Sequence, residues 1–484
     1  MAGLILLIGW YMMIPVIFLA TILPSLFSIP VFIARKRKTQ TIIALISILA
    51  SYTLISIVYI TNGKAREFLG YYSEKLTFYK IPIVFYIDGI SFLMITATML
   101  VYIAIIIYSF SEIKERFTSY IILILLLYTS LIGVFVSETL PIFYIYWEFT
   151  LIPSTLLILW WGGERKYRAS IKFFLFTHAS SLLMLLGIAT LVANGIVLIS
   201  QLSEYRDINI SYIMSLFAIA LLTKQGIFPL HVWLPDAHSE APTPISSILS
   251  GILIETGGYA FYRILLETDA LQLLYVTAIL GLLSALYGGI LAFKENDVKR
   301  IAAYSSISHA GYIITGLSLG GLGSFYALVG GLFHLLSHAV SKGLFFLVAG
   351  TVYHLFGTKD IRKMGLLMKN ARYTSFFGLI SSLSLAGVPL LACFPGEFMI
   401  IVGGVQRRYL EISLILVGVL IISAAYTLRF WLKIFWHPPE MLIKALPRET
   451  DLYRIIGMGV LAVANVVIGI SFTLIIDYLL IPFL

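Results

Sequence analysis

The stretch ALLTKQGIFPLHVWLPDAHSEAPTP, residues 220–244, decides the fold. It places Lys224 near the end of an apolar run, and Gly226, Pro229 and Pro235 then interrupt the predicted helix. A charge at bilayer depth costs about 2.5–3.5 kcal/mol on insertion scales. A broken helix at that depth is tolerated only where its freed backbone groups face protein or water. The stretch therefore predicts an ion or proton site inside a membrane protein.

The composition is that of a polytopic integral membrane protein. Of the 484 residues, 60% are hydrophobic and 12% are charged, which is more apolar than a soluble globular protein requires. A transmembrane helix takes about 20 apolar residues, and the chain holds enough such runs for about fourteen. The single cysteine, Cys393, excludes a disulfide framework and an iron–sulfur site built only from cysteines of this chain. The predicted spans are 3–33, 40–62, 88–110, 118–137, 140–161, 171–197, 209–229, 243–267, 271–293, 300–319, 322–354, 373–404, 411–432 and 455–480.

The basic residues alternate between connecting loops. Most of the 33 lysine and arginine residues lie in loops that follow odd-numbered spans, such as 34–38, 162–172 and 357–372. The positive-inside rule then predicts a multi-pass plasma-membrane protein with these loops in the cytoplasm and both termini outside. The net charge of +9 reflects this topology, so nucleic acid is not expected as a partner. Alternating aromatic residues in loop 63–87 predict a hairpin on the outer surface.

A second interrupted helix follows the same plan as the first. The stretch SLAGVPLLACFPGEFMIIVG, residues 384–403, places Pro389, Pro395 and Gly396 before Glu397. Two interrupted helices at corresponding positions of two halves indicate a transporter site built from repeats.

Two carboxylates are candidate partners of Lys224. Glu148 lies in FYIYWEFTLIP, in the fifth span. It either marks a membrane interface with its aromatic neighbours or keeps Lys224 protonated and controls its proton. Glu255, in the eighth span, either pairs structurally with Arg263 two helical turns later or carries protons next to Lys224.

Three titratable residues share one face of the eleventh span. His334, His338 and Lys342 follow one another at four-residue spacing, which places them on one side of a helix. His309, in the preceding span, extends the same polar line. Each imidazole is either a satisfied core residue or a proton relay that works through its two nitrogens. Metal binding is a further option, but no HExxH motif or cysteine pair supports it.

Glu397 follows Pro395–Gly396 and is expected near the start of a half-helix, where the helix N-terminus favours a carboxylate. The alternative is a helix-capping residue at the surface. No metal or cofactor is expected in this chain. The candidate proton-translocation residues are Glu148, Lys224, Glu255, His309, His338, Lys342 and Glu397.

Five stretches resemble the antiporter-like membrane subunits of respiratory complex I and of Mrp-type cation/proton antiporters, most closely the M-subunit type. They lie between about residue 88 and about residue 430, and LPDAHSEAPTP is the most specific string. The stretches are WEFTLIPSTLLILWWGGERKYRASIKFFLFT, LLTKQGIFPLHVWLPDAHSEAPTPISSILSGILIETGGY, KENDVKRIAAYSSISHAGYI, FHLLSHAVSKGLFFLVAG and FPGEFMIIVG.

The resemblance implies an all-α polytopic fold of fourteen helices, with two inverted five-helix repeats and two discontinuous helices. The N-terminal helices would occupy 1–110, the repeats 111–268 and 269–435, and the C-terminal loop and last helix 436–484. It also implies proton translocation coupled to quinone reduction in other subunits. The expected partners are antiporter-like and small subunits of the complex I membrane arm, together with membrane lipid. Quinone, FMN and iron–sulfur clusters would bind only to partner subunits.

Individual residues match or depart from the family. Glu148 and Lys224 match its glutamate–lysine pair, and Glu397 matches the terminal glutamate of the M type, where relatives carry lysine. Glu255 stands where the family usually has a bridging lysine. Lys342 stands where M-type subunits have a small residue, so the charge balance of the line differs.

The sequence thus predicts a proton-translocating membrane subunit of an NADH-quinone oxidoreductase, or of a related complex with another electron donor. The alternatives are an Mrp-type cation/proton antiporter subunit, the membrane arm of a hydrogenase- or formate-linked complex, and a passive scaffold. The cost of burying so many ionisable groups argues against the scaffold.

Overall fold

The computed structural model describes residues 15–72, 81–204, 210–268, 270–440 and 446–484. Within them, every predicted span corresponds to helix, and ten helices are long and apolar enough to cross a membrane. The helices are α1 (Val16–Ile33), α2 (Arg37–Asn62), α3 (Gly89–Glu112), α4 (Phe117–Val136), α5 (Leu140–Trp161), α6 (Lys166–Ala193), α7 (Ile210–Gln225), α8 (Leu234–Glu240), α9 (243–265), α10 (Leu271–Lys294), α11 (Val298–Gly321), α12 (Phe325–Phe356), α13 (Arg372–Leu385), α14 (Cys393–Gln406), α15 (Leu410–Trp436), α16 (Leu452–Ile470) and α17 (Phe472–Phe483).

Helix α12 lies at the centre of the fold. Its most apolar stretch of 18 residues is completely buried inside the protein. The helix packs against α3, α9, α11, α13, α14 and α16. A helix surrounded by protein has no side that must be apolar for contact with lipid. This position allows α12 to carry two buried histidines, His334 and His338, and a buried lysine, Lys342.

Helix α7 ends where the sequence predicts the first break. It stops at Gln225, and Gly226 adopts a φ of +75°, a conformation that glycine enters without a steric penalty. The chain then turns until α8 begins at Leu234, with Pro235 in its first turn. The breaks after α7 and after α13 confirm both predicted discontinuous helices.

The second break differs in detail from the prediction. Helix α13 ends at Leu385, and the chain bends around Gly387, which has a φ of +69°. Pro395 and Gly396 lie inside α14 and do not interrupt it. Pro395 is tolerated there because it falls in the first turn, where backbone N–H groups have no partner within the helix.

The predicted hairpin is confirmed. Strand β1 (Ala65–Tyr72) pairs antiparallel with β2 (Ile81–Ile87), and its intervening residues 73–80 lie outside the described part of the chain. Backbone bridges join Phe85 to Ser137 and Thr139 to Leu198. The hairpin therefore gathers the connections after α4 and α6 at one end of the bundle.

The basic loops gather at the other end. The Gly163 N–H donates to the Glu240 carbonyl, Asp297 bridges Asp360, and Arg429 donates to the Glu295 carbonyl. Loops with and without concentrated basic charge thus lie at opposite ends, in accord with the predicted alternation. That the basic end faces the cytoplasm stays a prediction, as do the domain limits and the inverted repeats.

Candidate functional site

Lys224 is held in the last turn of α7 by groups of α5. It is 2% exposed, and its Nζ donates to Thr150 Oγ1 at 2.7 Å. The same nitrogen lies 5.0 Å from the centre of the Trp147 ring, a contact that favours a desolvated cation. Trp233 Nε1 donates to the Thr223 carbonyl at 2.9 Å, which satisfies a backbone group freed where the helix breaks.

Glu148 lies on α5 beside this site, but it forms no ion pair with Lys224 within 4.0 Å; both residues are in the described ranges. Its carboxylate lies 2.9 Å from His178 Nδ1 on α6 and accepts a short hydrogen bond from Ser181. The Glu148 side chain is 23% exposed, although it stands near the middle of α5. Trp147 is buried, so its ring is not part of an aromatic belt at the membrane interface.

Gln225 connects the break after α7 to α9. Its Oε1 accepts a hydrogen bond from the Gly258 N–H at 2.6 Å, and its Nε2 lies 3.5 Å from Glu255 Oε2. The other Glu255 oxygen forms a short contact with His338 Nδ1 on α12. Gln225, Glu255 and His338 are completely buried, so a polar connection crosses the core from the Lys224 turn to α12.

The predicted alternative for Glu255, a structural pair with Arg263, is wrong. Arg263 Nη2 lies 2.5 Å from Asp88 Oδ1 and 2.9 Å from Ser91 Oγ. Its Nε donates to the Tyr259 hydroxyl at 3.0 Å. The arginine is therefore neutralised by α3 and its N-cap, and Glu255 belongs to the polar line.

Two histidines and a carboxylate meet between α11, α12 and α14. His309 Nδ1 lies 3.3 Å from His334 Nε2 and 3.3 Å from Glu397 Oε1. On its other side, His309 Nε2 lies 3.2 Å from the Tyr426 hydroxyl. The His338 ring centre is 5.6 Å from that of His309. This cluster connects the Glu255–His338 contact to Glu397.

Glu397 is 1% exposed, so the alternative of a capping residue at the surface is wrong. Its position depends on a close approach of α12 and α14. A side chain on Gly396 would place Cβ 2.9 Å from His334 Cβ, and one on Gly330 would lie 2.8 Å from the Gly396 carbonyl oxygen. The absence of a side chain at Gly330 therefore allows α12 and α14 to pack closely.

Lys342 is the basic residue that accompanies this cluster. It is completely buried, and its Nζ donates a short hydrogen bond to Ser305 Oγ on α11. The carboxylates of Glu255 and Glu397 both act on its charge. A lone buried cation is costly, and the charge of nearby acids reduces that cost.

The cluster also has the chemistry of a possible metal site. Ligand atoms of His309, His334 and Glu397 lie within 4.8 Å of one another, and two imidazoles with a carboxylate are a common zinc ligand set. An ion bound there would occupy the lone pairs that a proton relay needs. The expectation that no metal binds this chain stays a prediction.

The structure groups the predicted residues into two halves. Glu255, His309, His338, Lys342 and Glu397 come together in the second half. Lys224 and Glu148 occupy the first half without touching. Sequence reasoning missed His178 and Gln225, polar residues beside or within apolar runs. It placed His334 on the face of His338 and Lys342 but left it out of the candidate set.

The chain is similar to proteins of known family. The model of a family described as NADH:quinone oxidoreductase/Mrp antiporter, TM, matches residues 137–423. A NADH-quinone oxidoreductase subunit M of Rickettsia felis is 31% identical, over 91% of this chain and 92% of the relative. The F(420)H(2) dehydrogenase subunit M of Methanosarcina mazei is 28% identical over 97% of both chains. A chain of respiratory complex I from Thermus thermophilus superposes with a TM-score of 0.85 at 27% identity, covering 96% of this chain and 97% of that one.

Proposed function

Since the chain belongs to the NADH:quinone oxidoreductase/Mrp antiporter transmembrane family, we propose that it is the proton-translocating M-type membrane subunit of a quinone-reducing respiratory complex. Two of its relatives are named as M subunits of enzymes with different electron donors. We infer that donor oxidation, FMN, iron–sulfur clusters and quinone belong to partner subunits. This chain then supplies the passage for protons.

The observation that carries the proposal is the buried polar line itself. Lys224, Glu255, His309, His338, Lys342 and Glu397 are each at most 2% exposed. Burying so many ionisable groups without a function would cost stability that apolar side chains would not. Carboxylates, amines and imidazoles can all exchange protons, and hydration of the gaps between them would complete a lateral path.

The first half sets the charge of Lys224. The Glu148 carboxylate attracts a proton on Lys224 without contacting it, and His178 competes for the same carboxylate at 2.9 Å. Protonation of His178 would weaken the hold of Glu148 on Lys224 and release the proton of Lys224 towards Glu255. Because the Glu148 and His178 side chains are 23% and 37% exposed, a neighbouring membrane-arm subunit could reach the pair and control it.

The second half carries the proton to its exit. Glu255 passes it to His338 across their short contact, and His309 and His334 bring it to Glu397. Lys342 compensates the negative charge that Glu255 and Glu397 leave when they release protons. Release from Glu397 to the side opposite the basic loops completes one transfer, which partner subunits drive by reducing quinone.

The substitution Lys224→Ala tests the proposal in the assembled complex, reconstituted in vesicles and supplied with donor and quinone. We expect a lower number of protons pumped per electron, because the first half loses its proton carrier. Lys433→Ala is the matched control, since Lys433 is 36% exposed and pairs with Glu440 outside the polar line. An unchanged ratio in Lys224→Ala removes this lysine from the path.

The same vesicles distinguish the antiporter alternative. Without an electron donor, an Mrp-type subunit would change the internal pH when sodium is added. We expect no such change, since proton movement here depends on electron transfer in the partners. Glu397 agrees with this expectation, because the antiporter relatives usually carry lysine at that position.

A further inference from the structure

A polar cleft opens between the basic loops. Its volume is about 740 Å³, and acidic and basic side chains alternate along its wall, among them Glu164, Arg165, Asp236 and Arg300. A second depression of about 410 Å³ shares Ser239 and Glu240 with it. The two form one continuous entrance at the end of the bundle where basic charge is concentrated.

Lys299 lines the second depression. The residue is 4% exposed, its Nζ donates to the Ala241 carbonyl at 2.8 Å, and it lies 5.6 Å from the centre of the Tyr353 ring. At the cleft wall, burial raises the pKa of the Asp297 carboxyl, although the Lys299 and Arg300 amides donate to it. The entrance thus has groups that can take up protons from water.

His238 lies one residue beyond the cleft. Its neighbour Ser239 lines the opening, whereas the His238 ring is completely buried and stacks on Phe346, with ring centres 4.9 Å apart. By distance and angle, neither ring nitrogen has a hydrogen-bond partner in the part of the chain that the structure describes, although the Ser246 backbone lies close to the ring. Buried polar atoms are normally satisfied by protein or water, so both nitrogens are suited to bind internal water molecules.

Burial, Lys299 at the cleft and Lys342 in the interior together lower the pKa of His238 to about 3, so a proton that reaches this ring is passed on and not retained. One face of α12 runs between the same two points. Lys342 and Phe346 are one turn apart, and Tyr353 ends the face at the cleft, about 16 Å from Lys342 along the helix. His238 packs beside Phe346, between Lys342 and Tyr353 along α12.

We propose that His238 transfers protons from the Lys299 cleft to Lys342, which makes this cleft an entrance to the second half of the polar line. One ring nitrogen accepts a proton arriving through water from the cleft. The other nitrogen then releases its own proton towards the Lys342 amine, so that the ring returns to a neutral state as its alternate tautomer. This inference rests on the proposed function and names where protons enter it.

The test compares two variants in the assembled complex in vesicles. His238→Phe keeps a ring against Phe346 but removes both nitrogens, and His238→Gln keeps a polar head that cannot relay a proton. We expect proton uptake from the basic-loop side to slow by about a hundredfold, the lower range for a positioned acid–base group. The amount of assembled complex should not change. His437→Gln is the control, an exposed imidazole at the same end of the protein.

Normal proton uptake in both His238 variants would contradict the proposed entrance. Should either variant fail to assemble, Lys299→Gln tests the same path from the cleft side. We expect a comparable loss, and normal uptake there would equally overturn it. If Lys224→Ala and Glu397→Gln lower the proton-to-electron ratio while the His238 and Lys299 variants do not, the entrance alone is wrong. If none of them lowers it, the proposed function itself fails.

Discussion

Gln225 is the residue on which the connection between the two halves depends. It follows Lys224 directly, it accepts a hydrogen bond from the Gly258 N–H at 2.6 Å, and it lies 3.5 Å from Glu255. We expect Gln225→Leu to slow proton pumping strongly while electron donors and quinone still bind to the partner subunits. The reason is that an apolar side chain would separate the Lys224 turn from the Glu255 carboxylate and exclude water between them.

The structure gives the size of the accompanying loss of stability. Gln225 is completely buried, so Gln225→Leu leaves the Gly258 N–H without its side-chain partner. An orphaned buried polar group costs about 1–3 kcal/mol, and the longer hydrogen bond to Glu255 adds little. We therefore expect a destabilisation of about 2 kcal/mol, which is measurable by thermal unfolding of the purified complex and too small to prevent assembly.

Gln225→Glu is the matched control, because it has the same size and keeps an acceptor for the Gly258 N–H. A protonated carboxyl there can also donate to Glu255. We expect this variant to pump protons while Gln225→Leu does not, with both measured by a pH-sensitive dye in vesicles. Normal pumping by Gln225→Leu would refute the connection. Equal failure of the two variants would show that packing at this position, and not proton passage, limits the rate.

Two further predictions concern what holds the site in place. Gly396→Ala should destabilise the protein by about 1–3 kcal/mol in thermal unfolding, since its new Cβ would lie 2.9 Å from His334 Cβ. The control, Gly418→Ala, should be neutral or stabilising, because nothing lies within 4 Å of the added Cβ. Equal effects of the two substitutions would contradict the close approach of α12 and α14. Arg263→Met should cost about 3–5 kcal/mol because it leaves the Asp88 charge buried and unpaired. Adding Asp88→Asn should recover part of that loss, and a purely additive double variant would show that the pair is not coupled.

The sequence was sufficient for the helices, the first break and the hairpin, and for the second break apart from its exact position. Each of these features has a local cause: a long apolar run, a glycine at a positive φ such as Gly226, or alternating aromatic residues. The shared face of His334, His338 and Lys342 is also local, since residues four apart on a helix lie on one side. These features could be predicted because no distant part of the chain is needed to specify them.

Contacts between helices were not predictable in the same way. Lys224 contacts Thr150 where Glu148 was expected, and Arg263 pairs with Asp88 where Glu255 was considered. Arg263 still pairs with a carboxylate, whereas Lys224 contacts a hydroxyl in place of one. Which side chains meet depends on the rotation and depth of each helix in the bundle, and those are set by the packing of many small and apolar residues that carry no chemical signal.

The charge balance of the second half bears on the proposed proton transfer. Glu255 stands where the resemblance implies a bridging lysine, but Lys342 places a basic group on the facing helix, where the Glu255 carboxylate acts on its charge. With Glu397 the cluster contains two acids and one base, all completely or almost completely buried. Since an unpaired charge is costly in such surroundings, the neutral arrangement contains one additional proton, shared among the acids and the imidazoles of His309, His334 and His338. In the proposed function, the cluster therefore holds one proton that Glu255, Glu397 and Lys342 can exchange.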